Sequence, residues 1–350
     1  MPLTGIPWQR EMSMLSRNSG CRWMEFSWNG LKTVVMENDV IRIEILADKG
    51  TDIVEFLYKP RDLDFMWRSP VPMYNRTPFI ETVAGKSGNF LDYYPGGWQE
   101  IFPNGGSCCE YKNAMLGVHG EVALIPWNFK VLEDTQEKVS IIFTVRTYRT
   151  PFILEKTITL EKGSPRVDIE EKVTNTAEEE MDFMWGHHPA FGKPFISPAA
   201  IIRVKGATMR VVPGDSKSFS ELKQGTTRWP MAEGKSGKPV DMSVCPSESD
   251  KVSDMIFLSD LQEGRYDIYN EELKTGFFME FPLSVFRYLW FWRVAKGSFN
   301  YPWYGRTYNI ALEPFSSLPL LSEAVKRNDQ LKLDAGKSIG VTLKAGVTEG

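Results

Sequence analysis

The chain is poor in the features that mark several common functional classes. It has four cysteines in 350 residues, Cys21, Cys108, Cys109 and Cys245. Two are adjacent and none shows Cys-x-x-Cys spacing, which argues against a zinc knuckle or a disulfide framework. Positive charge is not in excess: 41 Lys and Arg stand against 45 Asp and Glu, for a formal charge of -4. A nucleic-acid or anionic-membrane binder would show a basic face instead. No apolar run approaches the length needed to span a bilayer, and Met1-Pro2-Leu3-Thr4-Gly5 lacks the basic-then-apolar start of a signal peptide. The expectation is a cytoplasmic, reduced protein without nucleic-acid or membrane partners, in which Asn75-Arg76-Thr77 is a chance glycosylation match. A Gly-x-Gly-x-x-Gly helix start, a Walker loop and a Gly-x-Ser-x-Gly elbow are all missing, so neither a nucleotide cofactor nor a serine nucleophile is expected.

Aromatic residues, by contrast, are plentiful, with 11 Trp, 12 Tyr and 21 Phe. Trp and Tyr can pack a core, and they also make the apolar platforms on which sugar faces stack. Period-two alternation dominates the chain. Ile41, Ile43 and Ile45 alternate with Arg42 and Glu44, and the runs 153–160 and 167–173 do the same. The run 141–145 is apolar and of strand length. Polar Gly- and Pro-containing turns separate these runs, and helical periodicity is confined to a short segment around 322–326. This pattern predicts a mainly β, antiparallel sandwich or barrel. With no linker or repeat, residues 1–350 read as a single domain with its core at about 35–345. The Ser, Lys, Gly and Pro content of 214–254 marks a surface excursion.

Only three histidines occur, and two lie in Gly186-His187-His188-Pro189-Ala190-Phe191-Gly192. Near the end stands Ala311-Leu312-Glu313-Pro314. A residue before proline is pushed toward extended backbone, so His188 and Glu313 are each expected on rigid extended chain. An imidazole and a carboxylate mounted in this way suit paired acid and base catalysis on a neutral polar substrate. Neighbours on a strand point to opposite faces, so only one of His187 and His188 can face a cleft. His187 is then expected to be a hydrogen-bonded packing or rim residue. Zinc sites show tight spacing such as His-Glu-x-x-His, which is absent, so no metal is expected.

The passage from Ile169 to Phe191 resembles the aldose 1-epimerase (galactose mutarotase-like) family: strand, Asn-Thr turn, strand, then Gly-His-His-Pro-Ala-Phe. Three more passages resemble that family in the same order. They are Gln99-Glu100-Ile101-Phe102-Pro103-Asn104, Gly117-Val118-His119-Gly120-Glu121 followed by Trp127, and Leu312-Glu313-Pro314. The resemblance implies an antiparallel β-supersandwich that interconverts the α and β anomers of a monosaccharide or sugar derivative without a cofactor. It implies His188 as the acid, Glu313 as the base and His119 as a substrate-binding residue. Gln99, which stands where many members carry arginine, is taken as a second substrate-binding residue. Trp292 and Arg306 are the further candidates for the pocket, chosen from an aromatic cluster that also holds Trp290, Trp303 and Tyr304. A carboxylate beside His188 is expected to favour its charged form.

Two rivals remain at this level. One is a non-catalytic sugar-binding or regulatory module that keeps the cleft. The other is a glycoside-cleaving enzyme, which normally needs two carboxylates flanking the bond. Glu100, Glu121 and Asp92 are the residues that could supply a second one.

Overall fold

Alternation becomes strand along the described chain. The four runs are the strands Ile41–Leu46, Lys138–Arg146, Phe152–Glu161 and Arg166–Asn175, and the short helix forms at Leu321–Arg327. In Phe152–Glu161 every second side chain is buried, the signature of a strand with one face on a core. The computed structural model describes residues 17–71, 73, 88–212 and 219–349. Asn75-Arg76-Thr77 and the first residues of the 214–254 stretch lie outside them. From 219 onward that stretch includes three short strands, Gly225–Arg228, Met231–Glu233 and Pro239–Asp241. Among the described residues no helix is long and apolar enough to cross a membrane.

The strands form a mainly antiparallel sandwich of a twelve-stranded and an eight-stranded sheet. The centre of the larger sheet runs, in spatial order, Trp98–Ile101, Gly186–Phe191, Tyr308–Phe315, Tyr288–Ala295 and Val252–Ser259. One face of this centre packs on the eight-stranded sheet. There the Phe191 ring meets Phe277 at 4.9 Å and Tyr266 at 6.4 Å, both edge to face, an arrangement worth about 0.5–1.5 kcal/mol per pair beyond burial. The other face is concave and covered by loops.

Proline shapes this centre. Pro189 and Pro314 sit inside paired strands, where each removes one N–H from the ladder. Glycine matters at Gly186, where a Cβ would lie 2.3 Å from the Phe315 ring. Without a side chain there, Phe315 lies across the strand and stacks on Trp290 at 3.7 Å, 11° from parallel. That stack is part of the floor beneath the concave face.

Candidate functional site

Strand register builds the site. Gly186 pairs with Phe315 and Ala190 with Ala311, so His188 and Glu313, midway between, come level on adjacent strands. Glu313 pairs with Trp290, and Trp290 with Phe257. A single cross-strand row thus carries imidazole, carboxylate and two aromatic rings on the concave face. Above it lies a cavity of about 540 Å³. Its walls come from the floor strands, from Phe90, Leu91 and Tyr94 of and after the short helix Gly88–Asp92, from Val118 and His119, and from Trp303, Pro319 and Leu320. A few polar groups set among apolar and aromatic walls is the usual makeup of a small-molecule pocket. A larger groove, about 670 Å³, runs over the eight-stranded sheet beside Glu155, Glu170 and Lys172. There Lys172 already pairs with Glu155 at 3.1 Å, and the groove carries no comparable set of reactive groups.

Both reactive groups are nearly sealed, His188 4% and Glu313 1% exposed. His188 Nε2 stands 3.5 Å from Glu313 Oε1, longer than an ordinary hydrogen bond, so the pair is facing but not closed. The buried Glu313 Oε2 takes no hydrogen bond from the described residues. On the far side of the imidazole, the Tyr94 hydroxyl lies 3.2 Å from His188 Nδ1. Tyr94 is held by its own neighbours: its ring stacks on Phe90 at 5.0 Å and meets Trp67 at 5.6 Å and His188 at 5.4 Å.

His119 enters from a left-handed turn, φ 58°. Its backbone N–H donates to Gly106 O at 2.9 Å, and Gly106 N–H donates back to His119 Nδ1 at 3.3 Å. With Nδ1 accepting, its proton is assigned to Nε2. Burial, together with nearby His188, pushes His119 well below the usual imidazole range. Its ring meets that of His188 at 5.4 Å. Trp292 also lines the cavity and touches His188 at 5.9 Å.

Burial works against both of the expected charge states. Burial brings His188 down to about 4 and pushes Glu313 well above the usual carboxylate range. Removing both groups from water opposes either charge.

Gln99 does not reach the cavity. Although it pairs with His188, its carboxamide donates to Gly96 O at 2.6 Å and Asp52 Oδ2 at 3.0 Å. Arg306 does not reach it either. Its exposed guanidinium turns back on its own loop, donating to Pro302 O at 3.1 Å and lying 5.8 Å from the Tyr304 ring. The alternative acids also lie elsewhere. Glu121 accepts from the backbone N–H groups of Tyr148 and Arg149, Glu100 accepts from Trp185 Nε1 at 2.9 Å, and Asp92 takes the Tyr301 hydroxyl. The residue missed was Tyr94, although Tyr94-Pro95-Gly96-Gly97 carries the same pre-proline signal that singled out His188 and Glu313. Among the described residues no group of three or more His, Cys, Asp or Glu is arranged to hold a metal ion.

The fold is shared with solved structures of low sequence identity. One is a candidate aldose 1-epimerase from Klebsiella pneumoniae, with TM-score 0.70, 13% identity, 94% of this chain and 88% of that one covered. Another is a galactose mutarotase-like protein from Clostridium acetobutylicum, with TM-score 0.59, 16% identity and coverage of 95% and 99%. A third, from Lactobacillus acidophilus, is described as a galactose mutarotase related enzyme, with TM-score 0.58, 15% identity and coverage of 93% and 98%. The architecture is therefore the galactose mutarotase-like β fold. No curated protein matches the sequence. Residues 28–347 match the family described as Domain of unknown function (DUF4432), and the chain belongs to that family.

Proposed function

We propose that this protein is an aldose 1-epimerase-like mutarotase that interconverts the α and β anomers of a free reducing sugar. One observation carries the reading: His188 and Glu313 stand level, 3.5 Å apart, on the floor of an aromatic cavity of about 540 Å³. Opening a cyclic hemiacetal requires one proton to leave the anomeric hydroxyl and one to reach the ring oxygen. These oxygens share a carbon, so two proton-transfer groups side by side match the demand. Each positioned group contributes about 10²–10⁴-fold. After rotation about C1–C2, the reverse transfers close the ring in the other configuration. In this reading His119 Nε2–H donates to a sugar hydroxyl, and Trp292 offers a face to the sugar's C–H groups. The structural relatives support this reading through shared fold alone.

NMR magnetisation exchange between anomers, measured over a panel of pentoses, hexoses and deoxyhexoses, tests it. The expected result is faster exchange for at least one sugar, reduced about 10²–10⁴-fold by Glu313→Ala. Saturable binding without faster exchange of any sugar would mean a binding module and overturn the proposal.

A further inference from the structure

We propose that the site acts on a reducing disaccharide, whose opening ring lies in the cavity and whose second ring stacks on an aromatic rim formed by Phe219, Phe299 and Tyr304. The inference rests on the mutarotase reading and names the class of sugar. Four of the six exposed aromatic side chains among the described residues gather at this rim: Phe219, Phe299, Tyr301 and Tyr304. Exposed apolar side chains scattered singly need no explanation, but a contiguous patch marks a binding surface.

The rim is one surface. The Phe219 and Phe299 rings meet edge to face at 5.5 Å, and those of Tyr301 and Tyr304 at 6.3 Å. Gly305 joins the two pairs: a Cβ there would lie 2.8 Å from the Phe299 ring, so this ring rests against the residue next to Tyr304. Tyr304 itself is 58% exposed and held in the left-handed region at φ 48°, where a bulky side chain is an outlier. Backbone bonds fix its loop, from Tyr304 N–H to Asn300 O at 3.1 Å and from Gly305 N–H to Ser298 O at 2.7 Å. Strained residues cluster at ligand clamps, and here the strain holds an aromatic ring toward solvent.

The rim also continues the cavity. Met255 and Trp292 pair on the floor strands, and both line the cavity. Two residues from Met255 on the same strand, Ser253 N–H donates to Phe219 O, and Phe219 N–H donates to Gly297 O. Two strand residues span about 7 Å, the scale of one sugar ring. Trp303, on the loop that carries Phe299 and Tyr304, closes the cavity against Trp292 at 5.5 Å. The Tyr301 hydroxyl reaches Asp92, next to the lining residue Leu91. At the outer edge the exposed guanidinium of Arg306 lies 5.8 Å from the Tyr304 ring, which sets hydrogen-bond donors beside an aromatic face. Aromatic faces edged by polar groups suit the C–H groups and hydroxyls of a sugar. A stable protein interface would engage about 20–30 residues a side, against the handful gathered here.

Anomer exchange of maltose, cellobiose, gentiobiose and lactose beside glucose, of xylobiose beside xylose and of mannobiose beside mannose tests the proposal. For at least one pair the disaccharide should show a KM about tenfold below that of its monosaccharide, a factor that corresponds to about 1.4 kcal/mol. The two kcat values should be alike, because the second ring is bound equally in the ground and transition states. Tyr304→Gly removes the ring and takes the left-handed backbone without strain, so it should fold and erase the difference. Equal KM values in every pair, or a preference that survives Tyr304→Gly, would overturn the proposal and leave the mutarotase reading standing. No faster exchange of any sugar would defeat the mutarotase reading instead. Binding of the same pairs, followed by the fluorescence of the cavity tryptophans, then decides the rim: a tighter disaccharide that Tyr304→Gly weakens would support it, and equal affinity or no binding would overturn it. A wild-type dimer in sedimentation that Tyr304→Gly disperses would assign the patch to a second copy of the chain and overturn the proposal as well.

Discussion

His187 and His188 are adjacent in sequence and both buried, yet they lie on opposite faces of their strand. His187 points to the core between the sheets, where protein groups use both ring nitrogens. Trp98 Nε1 donates to its Nδ1 at 3.2 Å, and its Nε2 donates to Glu171 at 3.0 Å. Around it Lys156 reaches Glu100 at 2.7 Å and Thr51 at 2.8 Å. Burial, and then the neighbouring Glu171, push Glu100 up. Glu171 feels the same burial but is held low by His187, Lys156 and a hydrogen bond from Glu100. On the other face His188 has one nitrogen tied to Tyr94 and the other directed at a carboxyl group too far to close on it. Burial alone does not distinguish a working histidine from a structural one. Unspent hydrogen-bonding capacity facing a cavity does.

The largest effect expected from the contrast falls on the core side. Lys156→Met should destabilise the protein by about 3–5 kcal/mol, because removing one partner leaves a buried carboxylate uncompensated. Anomer exchange per folded molecule should stay within about twofold, since Lys156 belongs to the eight-stranded sheet, points into the core and does not line the cavity. Urea unfolding and active-fraction kinetics give the two readouts. A stable variant with lost turnover would mean that the two faces are coupled through the strand.

Much of this arrangement was legible. Alternation located the strands, the pre-proline signal selected His188 and Glu313, and strand parity sent His187 to the other face. Gln99 misled because its register is right: it stands level with His188, and only Asp52, 47 positions away, draws its carboxamide aside. Arg306 misled because the loop's own carbonyls capture the guanidinium. The effect of burial on the two groups was not legible, since sequence shows which charges are neighbours but not how completely a folded sheet excludes water from them. Tyr94 could have been found by the same proline rule applied a third time.

Exchanging the two histidines one at a time sharpens the comparison. His187→Asn should cost about 1–3 kcal/mol of stability, because the shorter amide leaves Glu171 or the Trp98 N–H unsatisfied. Its kcat should change little. His188→Asn should show the reverse, with a smaller loss of stability and slower exchange, because Asn cannot reach both Tyr94 and Glu313. If His187→Asn slows exchange as much as His188→Asn at equal folded fraction, the faces have been assigned to the wrong imidazoles.

The smallest effect is a slope in stability with pH, and its sign follows from the two shifts on the cavity side. In the unfolded chain Glu313 titrates near 4.5 and His188 near 6.5; in the folded protein Glu313 is raised well above its value and His188 lowered to about 4. Between pH 4.5 and 6.5 the pair holds one proton in either state, on Glu313 when folded and on His188 when unfolded, so it contributes no slope. Above pH 6.5 the unfolded chain has released that proton while folded Glu313 keeps it. Stability is then lost as pH rises, by up to about 1.4 kcal/mol per pH unit, until Glu313 ionises in the folded state. Below 4.5 the unfolded chain binds two protons and the folded protein one, so stability is lost again as pH falls toward 4. Glu313→Gln removes the alkaline slope and leaves that of His188, which is flat above 6.5. Urea midpoints of the two proteins should therefore converge or cross between pH 6.5 and 8.5, with other titrating groups cancelling in the difference. Parallel curves over that range would show that Glu313 is already ionised in the folded protein at neutral pH, and that the two faces of the strand differ less in charge than their hydrogen bonds indicate.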